Sequence, residues 1–254
     1  MKPQSITFLL PLLLITAVFC TLPGVGGAAM WIGVQGGPNF VADGDIKASF
    51  GTNMARIKYV QTDPSFLGGV IIGYDFVKEG FLGRDWPNWM KYFSLAIDLT
   101  YNDFSQPAQD VKAVIPRNPP RSLVTIHIDQ AHGYMLELSL FFIAKYGFLP
   151  TPELPFGRLI PYVGVGPGLV FSVVNTSNSF FADNSSDSCE LAIFTEAGVR
   201  YMVWRNVSLD AAFRYRYVFP SYDRNYDSSV GQFNGVGRII AQSFGAIFRV
   251  NYHF

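Results

Sequence analysis

The stretch Ser243-Phe244-Gly245-Ala246-Ile247-Phe248-Arg249-Val250-Asn251-Tyr252-His253-Phe254 decides how the whole chain is read. Phe244, Phe248, Val250, Tyr252 and Phe254 share one parity, while Ser243, Arg249, Asn251 and His253 share the other. Successive side chains of a strand point to opposite faces, so this pattern predicts a strand with one apolar and one polar face. Aromatic and aliphatic groups on one side, against arginine and asparagine on the other, suit a strand that stands between lipid and a polar interior.

The same alternation recurs upstream. Eight strand candidates are read at about 30 to 40, 65 to 76, 91 to 104, 130 to 145, 160 to 174, 190 to 203, 205 to 218 and 240 to 254. Between 205 and 218, Val207, Leu209, Ala211, Phe213, Tyr215 and Tyr217 alternate with Asn206, Ser208, Asp210, Ala212, Arg214 and Arg216. Phe93, Leu95, Ile97, Leu99 and Tyr101 oppose Ser94, Ala96, Asp98, Thr100 and Asn102 in the same way. Tyr134, Leu136, Leu138, Leu140 and Phe142 oppose Glu137 and Ser139. The connections alternate as well. Residues 41 to 64, 105 to 129, 175 to 189 and 219 to 239 are long and polar, whereas Val203 to Arg205 is the shortest link. An even strand count with alternating long and short links predicts an all-β, eight-stranded antiparallel up-and-down transmembrane β-barrel.

Lys2 precedes an apolar run from Ile6 to Phe19, followed by the small residues Gly24-Val25-Gly26-Gly27-Ala28-Ala29. Residues 1–29 are therefore expected to be a cleavable signal peptide, with residues 30–254 as the barrel domain. The apolar run falls short of the roughly 20 residues a membrane-spanning helix needs. Phe19 before Cys20 is bulky where a lipoprotein signal carries a small residue, so lipidation is not expected. Without Cys20 the chain keeps only Cys189, which excludes an internal disulfide and a cysteine metal cage. Charged residues make up 15% of the chain and the net charge is zero, which argues against nucleic acid as a partner.

On these motifs the chain resembles the OmpA-like family of eight-stranded outer-membrane β-barrels, over residues 30 to 254. The resemblance is carried by Trp31-Ile32-Gly33-Val34-Gln35-Gly36-Gly37 and by Pro161-Tyr162-Val163-Gly164-Val165-Gly166-Pro167-Gly168. Thr195-Glu196-Ala197-Gly198-Val199-Arg200-Tyr201, the charged strand at 205 to 218 and the terminal Phe254 complete it. It implies a location in the bacterial cell outer membrane with both termini periplasmic and the long connections outside. It further implies a monomer whose partners are outer-membrane lipids, lipopolysaccharide and the outer-membrane assembly machinery, with no cofactor. Phe248, Val250, Tyr252 and Phe254 resemble the signal by which that machinery recognises barrel precursors. A counterpart of the family's periplasmic peptidoglycan-binding domain is not expected.

With the apolar parity in lipid, Asp98, Glu137, Glu196, Arg200, Asp210, Arg214, Arg216 and Arg249 point inward, four acids against four bases. Buried charges persist when paired, so this set is read as an ion-pair plug, with a narrow gated channel for small solutes or ions as the alternative. An interior of eight strands is filled by side chains, which excludes a bulk porin. Gly164, Gly166 and Gly168 are expected inward, making room for long Arg and Glu groups. Trp31, Trp86, Trp89 and Trp204 fall at the expected periplasmic strand ends and are read as an aromatic girdle. His253 is read as an interfacial polar residue, and Cys189 as a lone thiol in the third outer loop.

Catalysis is not expected. His127 and Asp129 share one parity and His132 takes the other, so they do not converge on one strand face. No Gly-x-Ser-x-Gly elbow, phosphate loop or His-Glu-x-x-His motif is present. The outer connections, with Tyr222, Asp223, Arg224, Tyr226 and Asp227, carry adhesive chemistry, which leaves a surface adhesin as a further reading.

Overall fold

Alternation becomes pleated strand along most of the chain. A computed structural model describes residues 30–42, 44–50, 53–76, 86–115, 122–128, 130–176, 185–218, 221–228, 231–239 and 241–254. The expected signal peptide over 1–29 lies outside the described residues, as does Asp129. The strands are β1 (Met30–Val41), β2 (Gly44–Phe50), β3 (Asn53–Val60), β4 (Ser65–Asp75), β5 (Phe93–Gln106), β6 (Gln109–Ile115) and β7 (Ser122–Ile128). They continue as β8 (Ala131–Lys145), β9 (Leu159–Thr176), β10 (Ser185–Trp204), β11 (Val207–Val218), β12 (Ser221–Ser228), β13 (Gly231–Ile239) and β14 (Ala241–His253).

Eight of these close a barrel in the order β1-β14-β11-β10-β9-β8-β5-β4. Every neighbouring pair is antiparallel. Following paired residues once round from Met30 passes Tyr74, Leu95, Phe142, Val165, Thr195, Tyr215 and Phe244 and returns to β1 at Phe40, a stagger of 40 − 30 = 10 residues. A rise of about 3.3 Å per residue and strands about 4.8 Å apart then set a tilt of about 40° and a radius of roughly 8 Å. Such a lumen is one that side chains can fill.

The outer parity is apolar and accessible. Leu136, Leu138, Leu140 and Phe142 of β8, Leu95, Ile97 and Leu99 of β5, and Phe248 and Val250 of β14 are all exposed, and Leu191 of β10 reaches 70%. No water-facing sheet tolerates this much accessible hydrocarbon, but a lipid-facing one requires it. The exposed rings of Tyr134 and Tyr146 bracket the β8 part of this belt. Twelve residues of tilted strand separate them, about 30 Å along the barrel axis, which matches the hydrocarbon thickness of a bilayer.

One end of the barrel gathers both ends of the described chain, where the Phe254 amide donates to the Met30 carbonyl at 3.0 Å. It also holds the turn at Arg205 and Asn206 and the connection between β8 and β9. Three of the four connections at the opposite end were expected to be polar loops and are instead hairpins. The pairs β2–β3, β6–β7 and β12–β13 rise from neighbouring barrel strands and join into a six-stranded sheet of order β12-β13-β2-β3-β6-β7. The joins are short, from Gly237↔Ala48 to Ile239↔Ile46 on one side and Arg56↔Val114 with Ile57↔Ala113 on the other. The fourth connection is shortened from both sides, because β9 runs to Thr176 and β10 starts at Ser185. Cys189, expected in a loop, therefore lies on a strand, exposed and free.

Candidate functional site

The inward parity of the barrel strands packs the lumen with bonded polar groups. Cross-strand register makes its first layer. Arg200 and Asp210 are direct partners across β10 and β11, as are Glu196 and Arg214, and Asp210 and Arg249 face each other across β11 and β14. Side chains so placed lie close enough to touch without spanning the lumen. Arg200 grips Asp210 in a fork, with Nε at 3.0 Å from Oδ1 and Nη2 at 3.0 Å from Oδ2. Arg214 donates to Glu196 from Nε at 2.9 Å and from Nη2 at 2.7 Å.

Longer arms tie opposite walls together. Arg214 also reaches Asp98 on β5, with Nη2 at 2.8 Å from Oδ2, although the two are 116 residues apart in sequence. Arg249 donates from Nη2 to Glu196 at 3.0 Å, from Nη1 to the Tyr162 hydroxyl at 3.1 Å and from Nε to Gln35 Oε1 at 2.9 Å. Gln35 in turn donates to Asp98 at 2.6 Å and to Thr100 at 2.8 Å, and Tyr162 donates to Glu196 at 2.9 Å. Arg216 pairs with Glu137 and donates from Nε to Ser243 Oγ at 2.7 Å. Thus Asp98, Glu137, Glu196, Arg200, Asp210, Arg214, Arg216 and Arg249 are all buried, and each has an oppositely charged partner.

A second group at the end near the chain termini was not anticipated. Lys145 contacts Asp75 at 2.6 Å, and Asp75 also accepts from Ser94 at 2.7 Å and from the Trp31 indole at 3.2 Å. Both residues close their strands, where alternation carries little signal. With them, the lumen of the described barrel holds five paired acids (Asp75, Asp98, Glu137, Glu196, Asp210) against five paired bases (Lys145, Arg200, Arg214, Arg216, Arg249). A low-dielectric lumen tolerates charge only in such balance.

Trp31 corrects the expected girdle. It is 1% exposed, inside the barrel, with the Arg200 guanidinium 4.3 Å from its ring centre. Its register partner on β4 is Gly73, and any side chain there would overlap the indole. Parity held this information, since Trp31 shares its face with Gly33, Gln35 and Asn39. Trp89 and Trp204 are exposed, and Trp86 is partly buried with its indole donating to the Tyr74 hydroxyl at 3.2 Å. His253 is likewise internal rather than interfacial, 3.0 Å from Ser208 Oγ and beside the Trp31 ring.

Apolar groups share the lumen. Phe141 and Ile143 are buried there because the run Leu140-Phe141-Phe142-Ile143 fills both faces of β8, and Phe194 of β10 is buried beside Phe141. They also correct the purpose given to the strand-β9 glycines. A methyl at Gly164 would meet Ile143 and Phe141 at 3.3 Å, and one at Gly168 would meet Phe194 at 2.5 Å. The space those glycines leave is taken by hydrocarbon, not by arginine or glutamate. Phe141 also lies beneath Arg214, 5.0 Å from its guanidinium. Between Trp31, Lys145, Tyr162 and Arg200 a cavity remains with room for about one water molecule.

On the outer face, Phe248, Val250 and Tyr252 of β14 are exposed, and the Phe254 ring packs edge-on against Tyr252 with centroids 5.3 Å apart. His132 is exposed on the outer face of β8, and no group of three metal-ligating side chains occurs among the described residues.

No protein-family signature matches the chain, and no curated protein matches it in sequence. Among solved structures it is similar to the outer membrane protein OprG from Pseudomonas aeruginosa, at 13% identity and a TM-score of 0.49, covering 89% of this chain and 97% of that one. It is similar also to Neisserial surface protein A, at 16% identity and a TM-score of 0.37, covering 89% of this chain and 97% of that one. A third is Ail, the attachment invasion locus protein of Yersinia pestis, solved with the heparin analogue sucrose octasulfate, at 10% identity and a TM-score of 0.35, covering 86% of this chain and 99% of that one.

Proposed function

We propose that the protein is a bacterial outer-membrane β-barrel whose lumen is sealed by a fixed ion-pair plug and whose role is structural and surface-displaying rather than catalytic. The observation that carries this reading is the division of the wall, with accessible hydrocarbon on the outer parity and balanced, mutually bonded charge on the inner. A soluble ligand-carrying barrel would invert that division. The end that gathers the chain termini is read as periplasmic, and the hairpin sheet of β2, β3, β6, β7, β12 and β13 as extracellular, because long connections of this barrel class lie outside. On this reading the partners are outer-membrane lipids and lipopolysaccharide, the barrel works as a monomer, and the exposed parity of β14 ending in Phe254 is the assembly signal.

The buried Ser208 and His253 contact carries no catalytic reading. Ser208 is also bonded to Asn251 at 3.0 Å, and the pair sits inside the wall beside Trp31. The cavity beside Trp31 supports the second reading, a narrow gated path for small solutes or ions, which would require the Arg214 and Arg249 bonds to Glu196 to open. Planar-bilayer recording of the refolded protein separates the two. The plug reading expects no steady conductance in potassium chloride. Stable unitary openings that become more frequent when Glu196→Gln weakens those bonds would establish the channel instead.

A further inference from the structure

Resting on the membrane-spanning reading, we propose that Lys91 and Arg158, each carried on a tyrosine ring, are binding positions for the phosphate headgroups of anionic phospholipids at the end of the barrel where the chain termini meet. Lys91 lies in the last turn of the short 3-10 helix Asn88–Tyr92, with its Nζ 5.2 Å from the centre of the Tyr92 ring. Tyr92 stacks on Tyr146, with centroids 5.6 Å apart and planes 6° from parallel, and meets Phe156 at 6.0 Å. Two residues beyond Phe156, the Arg158 guanidinium sits 5.8 Å from the centre of the Tyr201 ring. The Arg158 backbone is held on both sides, its amide donating to the Leu149 carbonyl at 3.1 Å and its carbonyl accepting from the Met202 amide at 2.9 Å. Two cations thus ride on tyrosine rings at this end of the barrel, Lys91 on the Tyr92–Tyr146–Phe156 cluster at the foot of β5 and β8, and Arg158 on Tyr201 near the foot of β10.

Both cations are exposed, and among the described residues neither is ion-paired with a carboxylate. Lys145 shows the contrast, since it lies close by in sequence but is buried and committed to Asp75. Tyrosine rings settle where hydrocarbon meets headgroups. Cations carried on Tyr92 and Tyr201 therefore stand at the depth of lipid phosphates. An ammonium with three donors and a guanidinium with a planar fork suit a phosphate diester better than a zwitterion whose own ammonium competes. Arg205, exposed beside the exposed Trp204, extends the basic arc toward β11. Glu153, exposed on the same connection, provides a charge control.

The test uses the refolded protein in phosphatidylcholine vesicles doped with spin-labelled phosphatidylglycerol or spin-labelled phosphatidylcholine, reading the motionally restricted fraction. Each interfacial cation favours an anionic lipid by about fivefold. Wild type should therefore restrict phosphatidylglycerol strongly over phosphatidylcholine, and Lys91→Gln with Arg158→Gln should abolish most of the preference. Glu153→Gln should preserve or raise it. The site is refuted if wild type shows no preference, or if the double variant keeps it while still running as a folded, heat-modifiable band. A chain that never enters the vesicles would overturn the membrane reading as well, whereas entry without preference overturns this site alone.

Discussion

Arg214→Leu removes the guanidinium that bridges Asp98 and Glu196 across the lumen, bonds of 2.8 Å and 2.7 Å. The two carboxylates are left in different circumstances. Glu196 keeps Arg249 at 3.0 Å and Tyr162 at 2.9 Å. Asp98 keeps only the neutral donors Gln35 at 2.6 Å and Thr100 at 2.5 Å, so it loses its charged partner. The balance of five acids and five bases becomes five against four. One uncompensated buried charge, rather than two, puts the loss at about 4 kcal/mol, within the range for breaking a buried pair. Adding Asp98→Asn removes that charge and leaves an amide able to hydrogen-bond in its place. The double variant should therefore recover to within about 2 kcal/mol of wild type, a strongly non-additive result. Urea unfolding from lipid vesicles, followed by tryptophan fluorescence and by gel mobility without boiling, gives both values. A single variant within about 0.5 kcal/mol of wild type, the range of an ordinary surface change, would refute the plug as a bonded network. So would a double variant less stable than the single one.

Three further outcomes are expected. Gly73→Ala should displace the Trp31 indole from Arg200 and Asp75, lowering stability by about 1–3 kcal/mol and shifting tryptophan emission; an unchanged unfolding curve would show that Trp31 is not held against β4. Deleting Phe254 should impair delivery to the outer membrane in cells while leaving refolding into detergent micelles intact; normal amounts of a slightly less stable barrel would reduce Phe254 to an interfacial anchor. In a Cys189→Ser background, Glu153→Cys should escape an impermeant maleimide on intact cells and react once the envelope is opened, whereas labelling of intact cells would invert the orientation.

Parity exposed the outer belt and pointed the charged residues inward, because on β5 and β11 large apolar residues alternate with charged, polar or small ones. It failed where alternation lapses. Phe141 and Ile143 lie in a continuous apolar run, and Asp75 and Lys145 end their strands, so neither pair announced an inward face. Trp31 was legible from its parity with Gly33 and Gln35, but the general preference of indoles for membrane interfaces overrode the local pattern. The hairpins β2–β3, β6–β7 and β12–β13 were hidden by polar composition, although Val111, Ala113 and Ile115 alternate with Asp110 and Lys112 on β6. Partner choice across the lumen was beyond reach for a different reason. That Arg214 meets Asp98 and Arg216 meets Glu137 depends on the ten-residue stagger of the closed sheet, a property of all eight strands together.

The division of the wall into a lipid face and a sealed ionic face is tested most directly along β8. Single cysteines at each position from Tyr134 to Phe142, in a Cys189→Ser background, carry spin labels on the protein refolded into vesicles, and collision with oxygen reports depth in hydrocarbon. Accessibility should rise at Tyr134, Leu136, Leu138, Leu140 and Phe142 and fall at Met135, Glu137, Ser139 and Phe141, with a period of two throughout. Uniform accessibility along the segment, or a maximum at Glu137 and Ser139, would contradict the account.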